Sequence, residues 1–235
     1  MSGARELKRN LLSRLATADW ESGLSAMSEL GQQAISPLFS GLCSTDVSVR
    51  WRSITAFGSV VSAMAAKTPE KARVVMRRFI WSLNDESGGI GWGAPEAMAE
   101  IMAVSPIMAA EYHNHLLAYI HEDHCRPDCF LEHAPLRRGA VWGVGRLSQV
   151  RPDLTRSSAE DLLCALNDCD PVIRGFAAWT VGILQLSHAA TLLEAMSSDQ
   201  TSMEIYRDRV LIQTTPATLA GEALLRITDH RSVTD

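Results

Sequence analysis

The sequence lacks the features of a membrane or secreted protein. No apolar run reaches the length needed to span a bilayer. The first twenty residues are charged and amphipathic without an apolar centre, so we expect neither a signal peptide nor a membrane anchor. The five cysteines form an odd set without the density of a disulfide scaffold, which predicts reduced thiols. We therefore expect a cytoplasmic protein.

Strong charge and catalytic signatures are also absent. The net charge is −5 over 235 residues, of which 21% are charged. This mild acidity offers no global attraction for phosphate backbones, so it argues against a nucleic-acid partner, although a local basic surface could still bind one. The sequence contains no Ser-His-Asp or Cys-His signature, so we predict no catalytic residues.

Internal repetition is the main positive signal. RGFAAWTVG at 174–182 matches RRGAVWGVG at 137–145, with arginine, tryptophan and glycine at the same offsets. Weaker copies begin at residues 50, 91 and 209. The five copies therefore start at residues 50, 91, 137, 174 and 209, with spacings of 41, 46, 37 and 35 residues. This spacing is typical of helix-pair solenoids.

Helix starts can be placed within these repeats. Asp170 can accept a backbone N–H at a helix N-terminus, and Pro171 follows at the first helical position, where its missing N–H costs nothing. Asp46 opens an earlier helix. The last pair is predicted to include a helix from about 202 to 213, before a closing helix that starts at Pro216.

The segments 30–58 and 162–182 carry a family resemblance. Each reads as a first helix, a tight acidic turn, and a second helix that opens with Val-Arg or Ile-Arg and closes near a glycine. The chain resembles HEAT-repeat proteins, and in particular the short bacterial repeats named after phycobilisome lyases. The resemblance implies an all-α fold, an α-α superhelix of helix pairs. It also implies that acids and arginines form a ladder between neighbouring repeats, carried here by Asp46, Arg50, Asp168, Asp170 and Arg174.

The repeats predict one domain over residues 1–235, with about five to six helix pairs. A longer connection is expected at 122–135, which accounts for the 46-residue spacing. Insertions in solenoids map to loops on one face, often the binding face.

Histidine and cysteine crowd this connection. Imidazole and thiolate are the usual ligands of zinc, and a tetrahedral site needs four of them. The candidate zinc ligands are His121, His124, Cys125, Cys129 and His133. A chance crowding of surface histidines and buried thiols is the favoured interpretation, because Pro127 interrupts a single helix and the spacing matches no established zinc motif. We predict no other cofactor.

One predicted helix carries three residues spaced four apart, which therefore share one face: Arg138, Trp142 and Arg146. Such a row can hold a carboxylate, a phosphate or an aromatic ligand. Alternatively, Trp142 packs in the core and the arginines pair with neighbouring acids.

Trp92 and Glu96 complete the candidate ligand- or partner-binding residues. They follow a glycine-rich stretch that superficially resembles a phosphate loop. No strand precedes it and Pro95 removes a backbone donor, so a tight inter-helix turn that brings Trp92 inward is favoured.

The densest basic stretch is predicted on the helix that starts near Pro69. Its basic residues are Lys67, Lys71, Arg73, Arg77 and Arg78. A solvated helix face is the favoured interpretation, and an anion-binding surface is the alternative.

Three functions follow as hypotheses. The first is a non-enzymatic scaffold that binds a protein partner through a concave face of its inner helices. The second, suggested by the family name alone, is a phycobilin lyase-like or other cofactor-handling protein, with Arg138 and Arg146 near a propionate. The third is a DNA-repair glycosylase, because one glycosylase group is built from similar HEAT-like repeats; the acidic balance argues against it.

Overall fold

The computed structural model of the protein describes residues 2–84, 91–122 and 129–234. Most of these residues are α-helical. The helices are α1 Ser2–Ala16, α2 Leu24–Leu30, α3 Gln32–Leu42, α4 Val47–Lys67, α5 Pro69–Leu83, α6 Ala94–Val104, α7 Pro106–Ala118, α8 Ala134–Ser148, α9 Pro152–Thr155, α10 Ala159–Ala165, α11 Pro171–Leu184, α12 Ala190–Ala195 and α13 Pro216–Thr234. Short 3₁₀ helices lie at Trp20–Gly23, Arg156–Ser158, Ser187–Ala189 and Met196–Ser198. Two strands, β1 Met203–Arg207 and β2 Val210–Thr214, precede α13.

The chain forms two compact units, Met1–His113 and Asn114–Asp235. In unit 1, α3 packs on α4, and α4 packs on α6, the second helix of the next pair. In unit 2, α8 packs on α11 and α11 packs on α13. Second helices of successive pairs therefore stack on one another within each unit. The predicted fold class, an all-α arrangement of stacked helix pairs, is confirmed.

The predicted helix starts at Asp46 and Asp170 are confirmed. The carboxylate of Asp46 accepts the backbone N–H groups of Ser48 and Val49, and the carboxylate of Asp170 accepts those of Val172 and Ile173. Each aspartate satisfies two of the amide groups that a helix start leaves without a partner.

The repeated closing glycines lie where second helices touch. Gly58 of α4 faces Glu100 of α6, Gly145 of α8 faces Trp179 of α11, and Gly182 of α11 faces Ala223 of α13. A Cβ atom on Gly182 would lie 2.7 Å from the Cα atom of Ala223. Because that neighbour is backbone, a side chain at this position would force the two helices apart.

The predicted helix at 202–213 is wrong, because this segment is an antiparallel β-hairpin. Its two turn residues, Asp208 and Arg209, have φ angles of 53° and 63°. This left-handed conformation suits the two-residue turn of a hairpin and cannot continue a right-handed helix. The hairpin packs on the second helices, since the Met203 side chain lies against Gly175 of α11.

We expect Gly182→Ala to lower the free energy of unfolding by about 1–3 kcal/mol, because the added methyl group overpacks the contact between α11 and α13. The measurement is urea denaturation followed by circular dichroism. Gly221→Ala is the matched control: no atom lies within 4 Å of a Cβ built there. Since alanine favours helix over glycine, this control should leave stability unchanged or raise it by up to about 1 kcal/mol. An equal response of the two variants would contradict the assignment of Gly182 to a close helix contact.

Candidate functional site

An arginine–aspartate ladder joins successive turns in unit 2. The Arg174 guanidinium donates to the carbonyl oxygens of Asp168 and Cys169 in its own turn, at 2.7 and 3.1 Å. It also donates to the Asp199 carboxylate of the next turn at 2.5 Å. This ion pair holds the pKa of Asp199 below its ordinary value against the opposing effect of burial.

Arg137 repeats this arrangement one helix pair earlier in the chain. It donates to the carbonyl oxygens of Leu131 and Glu132 at 2.9 and 2.8 Å, and to the Asp168 carboxylate at 3.1 Å. The ladder that the resemblance implied is therefore present in unit 2, with each arginine bonded to its own turn and to the next one.

The row Arg138, Trp142 and Arg146 does not form an open binding face. Trp142 is buried, and its indole N–H donates to the carbonyl oxygen of Tyr206 in β1 at 2.8 Å. Arg138 forms an ion pair with Asp170 at 2.7 Å. Arg146 is half-buried. This arrangement agrees with the alternative of a core tryptophan and an acid-paired Arg138.

A pocket of about 410 Å³ opens in unit 2 beside the ladder. Its polar lining residues are Glu122, Arg137, Asp161, Asn167 and Asp168. Three carboxylates against one guanidinium make this an acidic pocket, which suits a cationic group better than a phosphate.

Among the described zinc candidates, His121 is the one that bonds to a residue of this pocket. Its Nδ1 atom lies 2.7 Å from the Asp161 carboxylate. Cys129 and His133 are exposed, while His124 and Cys125 lie outside the described residues. Within residues 2–84, 91–122 and 129–234, no three side chains of His, Cys, Asp or Glu come together as a metal site. The zinc site stays a prediction.

Glu96 occupies an unusual position at the start of α6 in unit 1. Its Oε2 atom is buried and has no hydrogen-bond partner among the described residues. Burial raises the pKa of Glu96 to about 7, although its own backbone N–H and the charge of Arg50 act in the opposite direction. Trp92 was expected to point inward, but 42% of its surface is exposed.

An exposed stripe on α5 was not recognised as a unit from the sequence. It consists of Lys71, Val74, Arg78 and Trp81, which we call the α5 stripe. The spacing i, i+3, i+7, i+10 places the four side chains on one side of the helix over about 15 Å. Trp81 is 75% exposed and Val74 50% exposed. The run of basic residues is visible in the sequence, whereas the exposure of the two apolar residues at the same helical spacing is not.

Two pairs of cations on α5 differ in whether they have a carboxylate partner. Arg73 and Arg77 are paired with carboxylates, with Glu111 and Glu70 respectively. Lys71 and Arg78 have no carboxylate partner within the described part of the chain. The Arg78 guanidinium instead lies 3.7 Å from the ring centre of Phe39, a cation–π contact that holds it in place.

Comparison with known proteins supports the repeat assignment. The family model of the HEAT-like repeat matches residues 134–184, which span α8 to α11. No curated protein matches the sequence. None of the helices in the described ranges is both long and apolar enough to cross a membrane.

Three solved structures are similar along most of the chain. A designed armadillo repeat protein, YIII(Dq)4CqI, is 16% identical, with 93% of this chain and 98% of that chain covered and a TM-score of 0.46. An engineered protein is 13% identical, with 94% and 96% covered and a TM-score of 0.49. Mini spindles TOG3 of Drosophila melanogaster is 13% identical, with 93% and 92% covered and a TM-score of 0.37.

Glu96→Gln should change the pH dependence of stability. The folded-state pKa of about 7 lies above the ordinary value of 4.5, so the folded protein binds the Glu96 proton more tightly than the unfolded chain does. The wild type therefore loses stability as pH rises from about 4.5 to about 7, by on the order of 2–3 kcal/mol.

Glutamine cannot ionise, so the Glu96→Gln variant should lack this loss. Its free energy of unfolding should therefore rise relative to that of the wild type between pH 5 and pH 8. Urea denaturation at both pH values measures the difference. Glu29→Gln, at an exposed position on α2, is the control. Parallel stability–pH curves for wild type and Glu96→Gln would show that Glu96 ionises normally.

The zinc prediction has a direct test in the metal content of untagged protein purified without chelator. About one equivalent of zinc, lost in the Cys125→Ser/Cys129→Ser variant, would support the site, because removal of two thiolates leaves too few ligands for a tetrahedral site. Cys43→Ser, an exposed cysteine in unit 1, is the control. Metal-free wild-type protein would refute the zinc site.

Proposed function

We propose that this HEAT-like repeat protein is a non-enzymatic scaffold that binds a protein partner. The observation that carries the proposal is the α5 stripe, where Trp81 is 75% exposed one helical turn beyond Arg78. Tryptophan and arginine are the residues most enriched among those that dominate protein–protein binding energies.

The chemistry of the α5 stripe selects the kind of partner. Lys71 and Arg78 present two positive charges that no carboxylate of the described residues pairs with, on a chain whose net charge is −5. Val74 and Trp81 alternate with them as apolar contacts. We therefore infer an acidic segment that also carries apolar residues, such as the acidic amphipathic helix of another protein.

The rest of α5 supports a rigid binding face. Its opposite side, formed by Ala72, Val75, Met76 and Phe79, is buried in the core of unit 1. The Phe79 ring packs edge-on against Phe57 with ring centres 5.1 Å apart. A stripe fixed to a packed core loses less side-chain and backbone freedom on binding than a mobile loop does.

This surface differs from the concave inner-helix face that the sequence suggested. In unit 2, no residue of α8 or α11 is exposed, since neighbouring helices and the hairpin cover them. The first helix α5, rather than those second helices, carries the available apolar and charged contacts.

Neither alternative function gains support from a specific contact. A propionate bound by Arg138 would have to displace the Asp170 carboxylate, which also accepts the amide groups at the start of α11. A nucleic acid or an anionic membrane could use the cations of the α5 stripe, so the experiment must separate these ligands from an acidic protein.

We expect a peptide-display selection on the full chain to enrich acidic sequences that contain apolar residues. Their dissociation constants should rise at least about tenfold with Trp81→Ala, because an interface tryptophan commonly contributes more than 1.4 kcal/mol. Lys71→Glu/Arg78→Glu should abolish binding by charge reversal. Fluorescence anisotropy of the selected peptides measures both effects.

The matched controls are Leu225→Ala, another exposed apolar residue, and Lys8→Glu, another exposed cation. Both should bind the selected peptides as the wild type does. Equal affinity of Trp81→Ala and wild type would contradict the proposal. So would binding of duplex DNA or anionic vesicles at physiological salt in preference to every selected peptide.

A further inference from the structure

The hairpin has two long edges with different surroundings. The outer edge of β1 is covered, since the carbonyl oxygen of Tyr206 accepts the indole N–H of buried Trp142. β2 packs mainly against β1, and its residues are exposed or half-exposed. Val210 is 56% exposed. The outer edge of β2 is therefore the open edge of this sheet.

The register identifies which backbone groups face outward. Arg207 pairs with Val210 across the two-residue turn, and Ile205 pairs with Ile212. Residues at these positions exchange both of their hydrogen bonds with the partner strand. The alternate residues, Leu211 and Gln213, therefore direct their N–H and C=O groups away from β1.

This edge lacks the features that normally prevent strand addition. Natural sheets protect their edges with charged side chains, proline or bulges. The β2 sequence, Val-Leu-Ile-Gln-Thr, contains no charge and no proline, and its pairing with β1 has no bulge. An open, regular and uncharged edge strand is a template for another extended strand.

The β2 strand is complementary to itself in one antiparallel register. If Ile212 lies opposite Ile212 of a second copy, each Leu211 faces Gln213 of that copy. These are the residues whose backbone groups point outward, so both pairs can exchange N–H···O bonds. The two Ile212 side chains then meet at a pair without hydrogen bonds, where side chains approach most closely.

We propose that two copies of this chain associate through β2, forming a continuous antiparallel sheet of four strands around a two-fold axis at Ile212. No charge opposes the pairing, and the half-exposed Ile212 side chains gain an apolar contact. The contact is short for a stable dimer interface, so we expect a dissociation constant on the order of micromolar. The proposal uses no residue of the α5 stripe and stands independently of the proposed function.

Light scattering coupled to size exclusion, over about 1–200 µM to bracket that dissociation constant, tests the dimer. The wild type should change from monomer to dimer. Ile212→Lys and Ile212→Glu should each be monomeric throughout, because like charges would meet at the axis. An equimolar mixture of the two variants should recover the dimer, since opposite charges then face each other.

Gln213→Pro provides a test that leaves the side-chain pair at residue 212 unchanged. It removes an outward N–H that β1 does not use, so the hairpin persists while the dimer is lost. Leu225→Glu, which alters an exposed apolar residue on α13, should still dimerise. Circular dichroism melts confirm that each variant is folded. A wild type that stays monomeric would overturn the proposal, as would an Ile212→Lys variant that dimerises like the wild type.

Discussion

Close contact between successive second helices is the constraint on which the rest of the structure depends. At Gly182 the α11 backbone approaches Ala223 of α13 so closely that a single methyl group would meet its backbone. Gly58 and Gly145 occupy the same place in their own repeats. Such contacts leave little freedom in how one pair stacks on the next within a unit. The helices of a unit are therefore held close together at these positions.

The turns stabilise the same stacking through polar groups. Arg137 and Arg174 each bond two carbonyl oxygens of their own turn and one carboxylate of the next. One guanidinium thus orders a turn and aligns it with its neighbour. Arginine suits this role better than lysine, because its planar guanidinium carries several N–H donors in fixed directions. Apolar packing between helices and charged bonds between turns act on the same interfaces.

The two proposed surfaces lie on elements that this framework leaves uncovered. Helix α5 is the first helix of its pair, and its outer side carries Trp81 and two cations that pair with no carboxylate of the described residues. The β-hairpin interrupts the last pair, and its β2 strand retains an open edge. By contrast, Arg138 and Trp142, two of the candidate binding residues in the sequence, are engaged within unit 2 by Asp170 and Tyr206. Repetition in a sequence marks what neighbouring repeats use to pack, so the most regular residues are the ones engaged between repeats.

The sequence by itself determined the helix starts at Asp46 and Asp170, the spacing of the closing glycines and the all-α class. These depend on local chemistry: a carboxylate near free amide groups, a proline at the first turn, and the absence of a side chain. Only the tertiary structure decided the burial of Trp142, the exposure of Trp81 and the buried position of the Glu96 carboxylate. Each depends on which distant element covers a residue. The tertiary structure also decided the hairpin at 203–214. Its turn residues, Asp208 and Arg209, include no glycine, which is the usual sequence signal of such a turn. The hairpin packs on α11 through β1.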